Sequence, residues 1–226
     1  MRYSIVLFDA DDTIFDFHRA CHHALDVVFP KYGMPNTAEN HETYMRLNQG
    51  VWDEFERGEL TKEALKVERF RRLLEFWGRG GDAWQMSEDY MDALGEGAFL
   101  MEGALDTCRA LSRERRLYFV TNGIERVQMS RLARSPIKEY FTDIFVSEAV
   151  GTPKPHRAYF DFVFSHIPEF TLEKAIIVGD SLTSDMAGGA TAGLDTCWYN
   201  PKGLPRPEGM ELTYEIRQLK ELPDIL

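Results

Sequence analysis

The stretch LFDADDTIFD, Leu7 to Asp16, sets an apolar run against a cluster of acids. The run itself, Ile5 to Phe8, has no polar residue, which suits a short strand buried on both faces. Asp9, Asp11 and Asp12 then follow at its carboxyl end. At about 4 Å and an effective dielectric near 20, each unneutralised pair of carboxylates costs roughly 4 kcal/mol. A positive partner is therefore expected at the end of this strand.

The same kind of run recurs further along. Leu117–Val120, Ile144–Val146, Ala175–Val178 and Thr196–Tyr199 are short apolar or β-branched stretches, and helical periodicity separates them. Leu105, Cys108 and Leu111 form one stripe; Tyr159, Phe160, Val163 and Phe164 form another. Strand alternating with helix predicts an α/β core built on a Rossmann-like parallel sheet. Between Phe17 and about Gly97 the pattern is helical throughout. Phe17, Cys21, Ala24, Leu25, Val28 and Phe29 fall on one face; Tyr44, Leu47, Val51, Trp52 and Phe55 on a second; Phe70, Leu73, Leu74 and Trp77 on a third. The expected organisation is a core of residues 1–16 and 98–226 interrupted by an inserted all-α domain of residues 17–97. A Pro/Gly-rich loop from Pro201 to Gly209 leads to a last short strand near Tyr214 and a terminal helix.

The 226 residues are 44% hydrophobic and 28% charged, the composition of a globular chain, with a formal net charge of -11. That charge argues against a nucleic acid polymer or an anionic membrane as the main partner, because both attract basic patches. The four apolar residues before Asp9 are too few for a secretory signal and no later segment approaches a membrane span, so a cytoplasmic protein is expected. Cys21, Cys108 and Cys197 are far apart and odd in number, which predicts reduced, buried thiols. Oligomeric state is not legible.

Four sites follow strands or lie in the loops beyond them, and in open α/β sheets those carboxyl ends share one crevice. Asp9 and Asp11 suit a nucleophile that attacks phosphorus and an acid/base two residues on; the plainer reading is a solvated acidic turn. Thr121, Asn122 and Gly123 suit phosphate oxygens, though Asn-Gly is also a common turn. Lys154, set between two prolines, suits an anion; the default is a surface lysine. Asp180 and Asp185, in GDSLTSD, suit a hard cation that takes oxygen ligands, which means Mg²⁺; helix capping competes. Coincidence would have to supply all four in order at successive strand ends.

Taken together, DADDT, TNG, KP and GDSLTSD resemble the four signature motifs of the haloacid dehalogenase (HAD) superfamily, and the helical insertion is similar to its first type of cap. The resemblance runs over essentially the whole chain. It implies a HAD-like fold and a hydrolase in which Asp9 is nucleophile and metal ligand. It further implies that Asp11 is the general acid/base with its backbone carbonyl on the metal, that Thr121, Asn122 and Lys154 bind the phosphoryl group, and that Asp180 and Asp185 hold Mg²⁺.

Asp11 separates the activities within that superfamily. Dehalogenases proper need no leaving-group acid and usually carry another residue there, so Asp11 points to phosphomonoester hydrolysis. Phosphonate-cleaving relatives use a cap lysine, and nothing marks Lys31, Lys62 or Lys66 for that purpose. LNQGVWDEFERGELT, VTNG, SEAVGTPKP and GDSLTSDMAGGATAGLDTCWYN look like bacterial 5′-nucleotidases acting on nucleoside monophosphates, pyrimidine ones especially. Glu102, where relatives often have Pro, is a small departure. On this reading the partner is a small phosphate ester, a nucleoside monophosphate. Phe15, Phe17 and Trp52 are candidates to stack its base, a contact worth about 1 to 3 kcal/mol, and His18 is a candidate entrance residue. The competing readings are a phosphatase for sugar phosphates, a dehalogenase, and a receiver-like protein. In receivers the phosphorylated Asp follows a later strand and no helical cap intervenes.

Overall fold

In the computed structural model, which describes residues 2–226, the strands are β1 (Ile5–Phe8), β2 (Arg116–Thr121), β3 (Phe141–Val146), β4 (Ala175–Gly179), β5 (Asp195–Tyr199) and β6 (Tyr214–Ile216). They form one parallel sheet in the order β3-β2-β1-β4-β5-β6. Four helices follow β1: α1 (Phe17–Lys31), α2 (Ala38–Glu56), α3 (Lys62–Phe76) and α4 (Ala83–Glu96). The rest are α5 (Ala104–Leu111), α6 (Glu125–Arg134), α7 (Ser147–Val150), α8 (Arg157–His166), α9 (Ala187–Ala192) and the short α10 (Leu222–Ile225).

Ile5 lies in register with Arg116 on one side and Ala175 on the other, so β1 is central and all four of its residues are buried. Strand side chains alternate between faces, and the apolar runs of the sequence divide accordingly. Val6, Phe8, Leu117, Phe119, Ile176 and Val178 pack with Ala104, Cys108 and Leu111 of α5. Ile5, Leu7, Tyr118, Val120, Ala175 and Ile177 pack with Tyr159, Phe160 and Val163 of α8. Each fully buried aliphatic or Phe side chain contributes roughly 1.5–3 kcal/mol. The result is a doubly wound sheet, whose strand order runs outward in both directions from the β1/β4 pair. A crevice opens beyond the strand ends at such a switch point.

The chain divides into two compact units, one of Met1–Phe17 with Ala98–Leu226, the other of His18–Gly97. In the second unit, Thr37, Thr61 and Asp82 cap α2, α3 and α4 by accepting from the N–H groups of Asn40, Ala64 and Gln85. Its core centres on the rings of Tyr44, Phe70 and Tyr90, with centroids 5.2–5.3 Å apart. Outside that core, Arg72 ties Glu54 of α2 to Glu68 of its own helix.

Two details differ from the sequence-based expectation. β3 begins at Phe141 rather than Ile144, with Thr142 and Asp143 exposed, because it is an edge strand whose outer end needs no apolar cover. The terminal helix is a single turn after a 3-10 turn at Leu219–Glu221. The three cysteines are free and buried. Among the described residues no helix is long and apolar enough to cross a membrane.

Candidate active site

Asp9 stands at the end of β1, its N–H donating to the carbonyl of Val178 on β4 at 2.9 Å. From the loop after α7, Lys154 reaches under the sheet end. Its Nζ donates to Asp9 Oδ1 (2.7 Å), Asp185 Oδ1 (2.6 Å) and the Val120 carbonyl (2.7 Å). All three ammonium hydrogens are thus held by protein groups, and a phosphoryl oxygen reaching Lys154 would have to displace one of them. Burial alone would lower the Lys154 pKa, but Asp185 and Asp9 beside it raise the ammonium above its ordinary value.

The loop after β4 supplies the other acids. Gly179 leaves room for Asp185 to fold back over the chain; a Cβ at Gly179 would lie 2.3 Å from Asp185 Oδ2. That oxygen accepts the N–H of Ser181, whose hydroxyl in turn caps the helical turn Leu182–Met186 by accepting from Ser184 N–H. Trp198 of β5 donates its indole N–H to the Asp180 carbonyl at 2.9 Å, and Thr13 donates to Asp180 Oδ1 at 3.4 Å. These bonds hold the loop that carries the two carboxylates.

One carboxylate oxygen each from Asp9, Asp180 and Asp185 lies within 4.8 Å of the others. Three acids answered by one ammonium leave a buried deficit of positive charge. Its consequence is visible in protonation: burial, opposed by Lys154 and reinforced by Asp185, pushes the Asp9 carboxyl well above its usual value. Burial together with Asp185 and Asp12 pushes Asp180 up to about 7. A divalent cation that prefers oxygen ligands fits this donor set, since every ligand atom is a carboxylate oxygen and no sulfur or imidazole is present.

After Asp9 the backbone turns sharply. Asp12 adopts a positive φ of 57°, a conformation Asp tolerates. Its N–H donates to the Phe15 carbonyl (2.7 Å) and its Oδ1 accepts the N–H of Phe17 at the head of α1 (3.2 Å). Asp11 leaves this turn toward α6, where Arg131 and Gln128 grip its carboxylate.

The hydroxyl oxygen of Thr121, at the end of β2, accepts from Gly123 N–H (3.0 Å) and from Gln128 Nε2 (3.3 Å). Asn122 has a different position from the one its expected role implies. Its side chain forms a reciprocal pair with the Lys154 backbone: Nδ2 donates to the Lys154 carbonyl and Oδ1 accepts the Lys154 N–H, both at 2.9 Å. Asn122 is thereby a bracket that sets where Lys154 begins.

Of the aromatic candidates, Phe15 is corrected. It is fully buried in the core, stacked on Phe119 at 5.8 Å, with the Arg131 guanidinium 5.1 Å over its ring. No face is left for a base, because the turn at Asp12 directs the ring inward. Phe17 is half-buried at the start of α1 and His18 is exposed. Trp52 is half-buried on α2, edge-on to Phe55, and Lys62 Nζ lies 4.6 Å from its ring centroid.

Gln128, Arg131 and Trp198 escape a reading of the sequence. For Gln128 and Arg131 the sequence offers only two polar residues at i and i+3 beside Val127 and Leu132; the fold is what buries all four.

A family model described as haloacid dehalogenase-like hydrolase matches residues 6–199. The protein YfnB of Bacillus subtilis (strain 168) is 44% identical over 225 residues, covering 100% of this chain and 96% of that protein. The crystal structure of YfnB bound to magnesium superposes with a TM-score of 0.94 at 43% identity, covering 100% of this chain and 99% of that one. The pyrimidine 5′-nucleotidase PynA of Streptococcus pneumoniae (strain ATCC BAA-255 / R6) is 34% identical over all of this chain and 96% of its own. The pyrimidine 5′-nucleotidase YjjG of Escherichia coli (strain K12) is 30% identical, over 100% of this chain and 99% of its own.

Proposed function

The chain belongs to the haloacid dehalogenase-like hydrolases, and on that premise we propose that it is a cytoplasmic, Mg²⁺-dependent 5′-nucleotidase that hydrolyses pyrimidine nucleoside monophosphates through an aspartyl phosphate. The observation that carries the reading is the group of Asp9, Asp180 and Asp185 at the sheet end, Asp9 and Asp185 buried on Lys154 and Asp180 half-buried beside them. Full-length similarity to two pyrimidine 5′-nucleotidases supports the substrate class.

The residues divide the reaction between them. Asp9 attacks phosphorus, forming the Asp9–phosphorus bond while the bond to the nucleoside 5′ oxygen breaks. Asp11 gives its proton to that leaving oxygen. Water then attacks the phosphorus of the aspartyl phosphate, Asp11 takes the water's proton, and Asp9 returns as a carboxylate with inorganic phosphate released. Thr121, which accepts twice, keeps its own hydroxyl hydrogen to donate to a phosphoryl oxygen. Asp9, Asp180 and Asp185, with the Asp11 backbone carbonyl, would hold the Mg²⁺, which when bound offsets the charge of the carboxylates and the phosphoryl oxygens. Lys154, bracketed by Asn122, keeps Asp9 and Asp185 from repelling each other out of position. Phe17 and Trp52 are the side chains assigned to the base, with His18 at the entrance.

Phosphate release with Mg²⁺ across pyrimidine and purine monophosphates, sugar phosphates and an aryl phosphate tests the assignment. Highest kcat/KM for the pyrimidine monophosphates is expected. A sugar phosphate in first place would remove the nucleotidase assignment while leaving the phosphatase chemistry standing.

A further inference from the structure

Asp11 is held by two buried side chains of α6. Arg131 donates through Nη1 to Asp11 Oδ1 at 2.5 Å and through Nη2 to the same oxygen. Gln128 donates through Nε2 to Asp11 Oδ2, also at 2.5 Å. Both donors are almost wholly buried, with 1% of each exposed, whereas 30% of the Asp11 side chain remains open to solvent.

The setting of the pair is itself constrained. Residues i and i+3 share one face of α6, which aims both side chains at one point. The Arg131 guanidinium is clamped from behind by the Phe15 ring. Gln128 passes over Gly123, where a Cβ would lie 2.1 Å from its Nε2, and is steadied by Thr121 Oγ1. Arg131 Nε and Gln128 Oε1 are buried with no partner among the described residues. The surroundings are arranged around Asp11.

We infer that Arg131 and Gln128 are positioning residues that hold the Asp11 carboxylate where it can exchange a proton with the leaving oxygen. The inference rests on the phosphatase reading of the site. Arg131 acts through Asp11, and Gln128 acts through Asp11 while also donating to Thr121 Oγ1. Without them the Asp11 side chain is free to turn among its staggered rotamers, and the fraction of molecules with the acid within hydrogen-bond reach falls.

The consequence depends on the leaving group. A nucleoside 5′ alkoxide departs only with a proton, whereas p-nitrophenolate departs without one. kcat/KM reports steps up to formation of the aspartyl phosphate, so it isolates the acid step. In Arg131→Met, kcat/KM for a pyrimidine monophosphate is expected to fall about 10²-fold, the low end of general-acid contributions, with p-nitrophenyl phosphate far less affected. Arg131→Lys should recover much of the loss, and Gln128→Leu, which also removes the bond to Thr121 Oγ1, should lower both esters but the pyrimidine monophosphate more. In an Asp11→Asn background, Arg131→Met should cost nothing further on either ester. Equal losses on both esters, or a further loss in the Asp11→Asn background, would overturn the inference and reduce the pair to a structural salt bridge. If Arg131→Met does not fold, Arg131→Lys and Gln128→Leu carry the same comparison. Wild-type protein that releases phosphate from neither ester with Mg²⁺ would defeat the phosphatase reading, and the inference with it.

Discussion

The ammonium of Lys154 lies 2.7 Å from Oδ1 of Asp9, with the Lys154 side chain almost wholly withdrawn from solvent and Asp9 nearly so. The same ammonium reaches Asp185 at 2.6 Å. One cation therefore holds together the acid at the end of β1 and the acid beyond β4. The site's geometry and the stability of the switch point depend on the same bonds.

Lys154→Met should expose that dependence. It leaves Asp9 and Asp185 buried beside each other without an ammonium, and breaking one partner of a buried pair costs about 3–5 kcal/mol. Denaturation in EDTA is expected to show a loss of that size, with Mg²⁺ returning part of it. An unchanged midpoint in EDTA would mean that Lys154 does not carry the charge balance.

Asp9→Asn keeps the shape of the side chain and removes its nucleophilic charge. Turnover is expected to drop by at least about 10⁴-fold, the scale seen when a covalent nucleophile is removed, while unfolding stays cooperative. Retained activity in purified variant protein would remove Asp9 from the mechanism.

Gly179→Ala tests the fold-back of Asp185 by sterics alone. The added Cβ would fall 2.3 Å from Asp185 Oδ2, so the carboxylate has to move away from Asp9 and Asp180. Mg²⁺ affinity, measured by calorimetry, is expected to fall about 10-fold or more, as for other changes that misdirect a ligand. Unaltered affinity would show that Asp185 is dispensable to the metal.

His41 gives the helical unit a pH dependence. Asp26 accepts from Asn36 Nδ2, so Asn36 Oδ1 faces His41 and His41 Nε2 must donate to it. His41 Nδ1 is then the acceptor for His22 Nδ1, 2.7 Å away, and a proton on it would confront that donor. Burial first, then His22, holds the His41 pKa below the ordinary 6.5. With the folded pKa lowered, the unfolded chain binds more protons below pH 6.5, so stability falls as pH drops through that window. Asp9 and Asp180, whose carboxyls are raised, titrate over the same range in both proteins, so the His41 effect is read as a difference: the melting temperature of the wild type relative to that of His41→Gln is expected to fall from pH 7 to pH 5. Parallel curves for the two proteins would contradict this.

What could be seen in the sequence was whatever local chemistry determines. The apolar runs gave up the strands because a central parallel strand is buried on both faces, and they failed only at Phe141–Asp143, on an edge. Asp9, Asp180, Asp185 and Lys154 are legible because each follows a strand or lies in the loop beyond one, and strand ends meet. The pairing of Asn122 with the Lys154 backbone was invisible, since it joins two loops through main-chain atoms. Gln128 and Arg131 are not legible in the sequence because a polar residue on a helix is solvated by default; only the fold reveals that this face of α6 is buried. Phe15 is the opposite case: an aromatic next to the site in sequence suggests a face for a base, and the turn at Asp12 points the ring into the core instead.

Acid quenching of the protein during turnover of a pyrimidine nucleoside monophosphate with Mg²⁺, followed by peptide mapping of the phosphoryl group, tests the central claim most directly. The phosphoryl group is expected on the peptide carrying Asp9 and is expected to vanish in Asp9→Asn. Phosphate release with no phosphorylated Asp9 at any time in the reaction, or with the phosphoryl group on another residue, would contradict it.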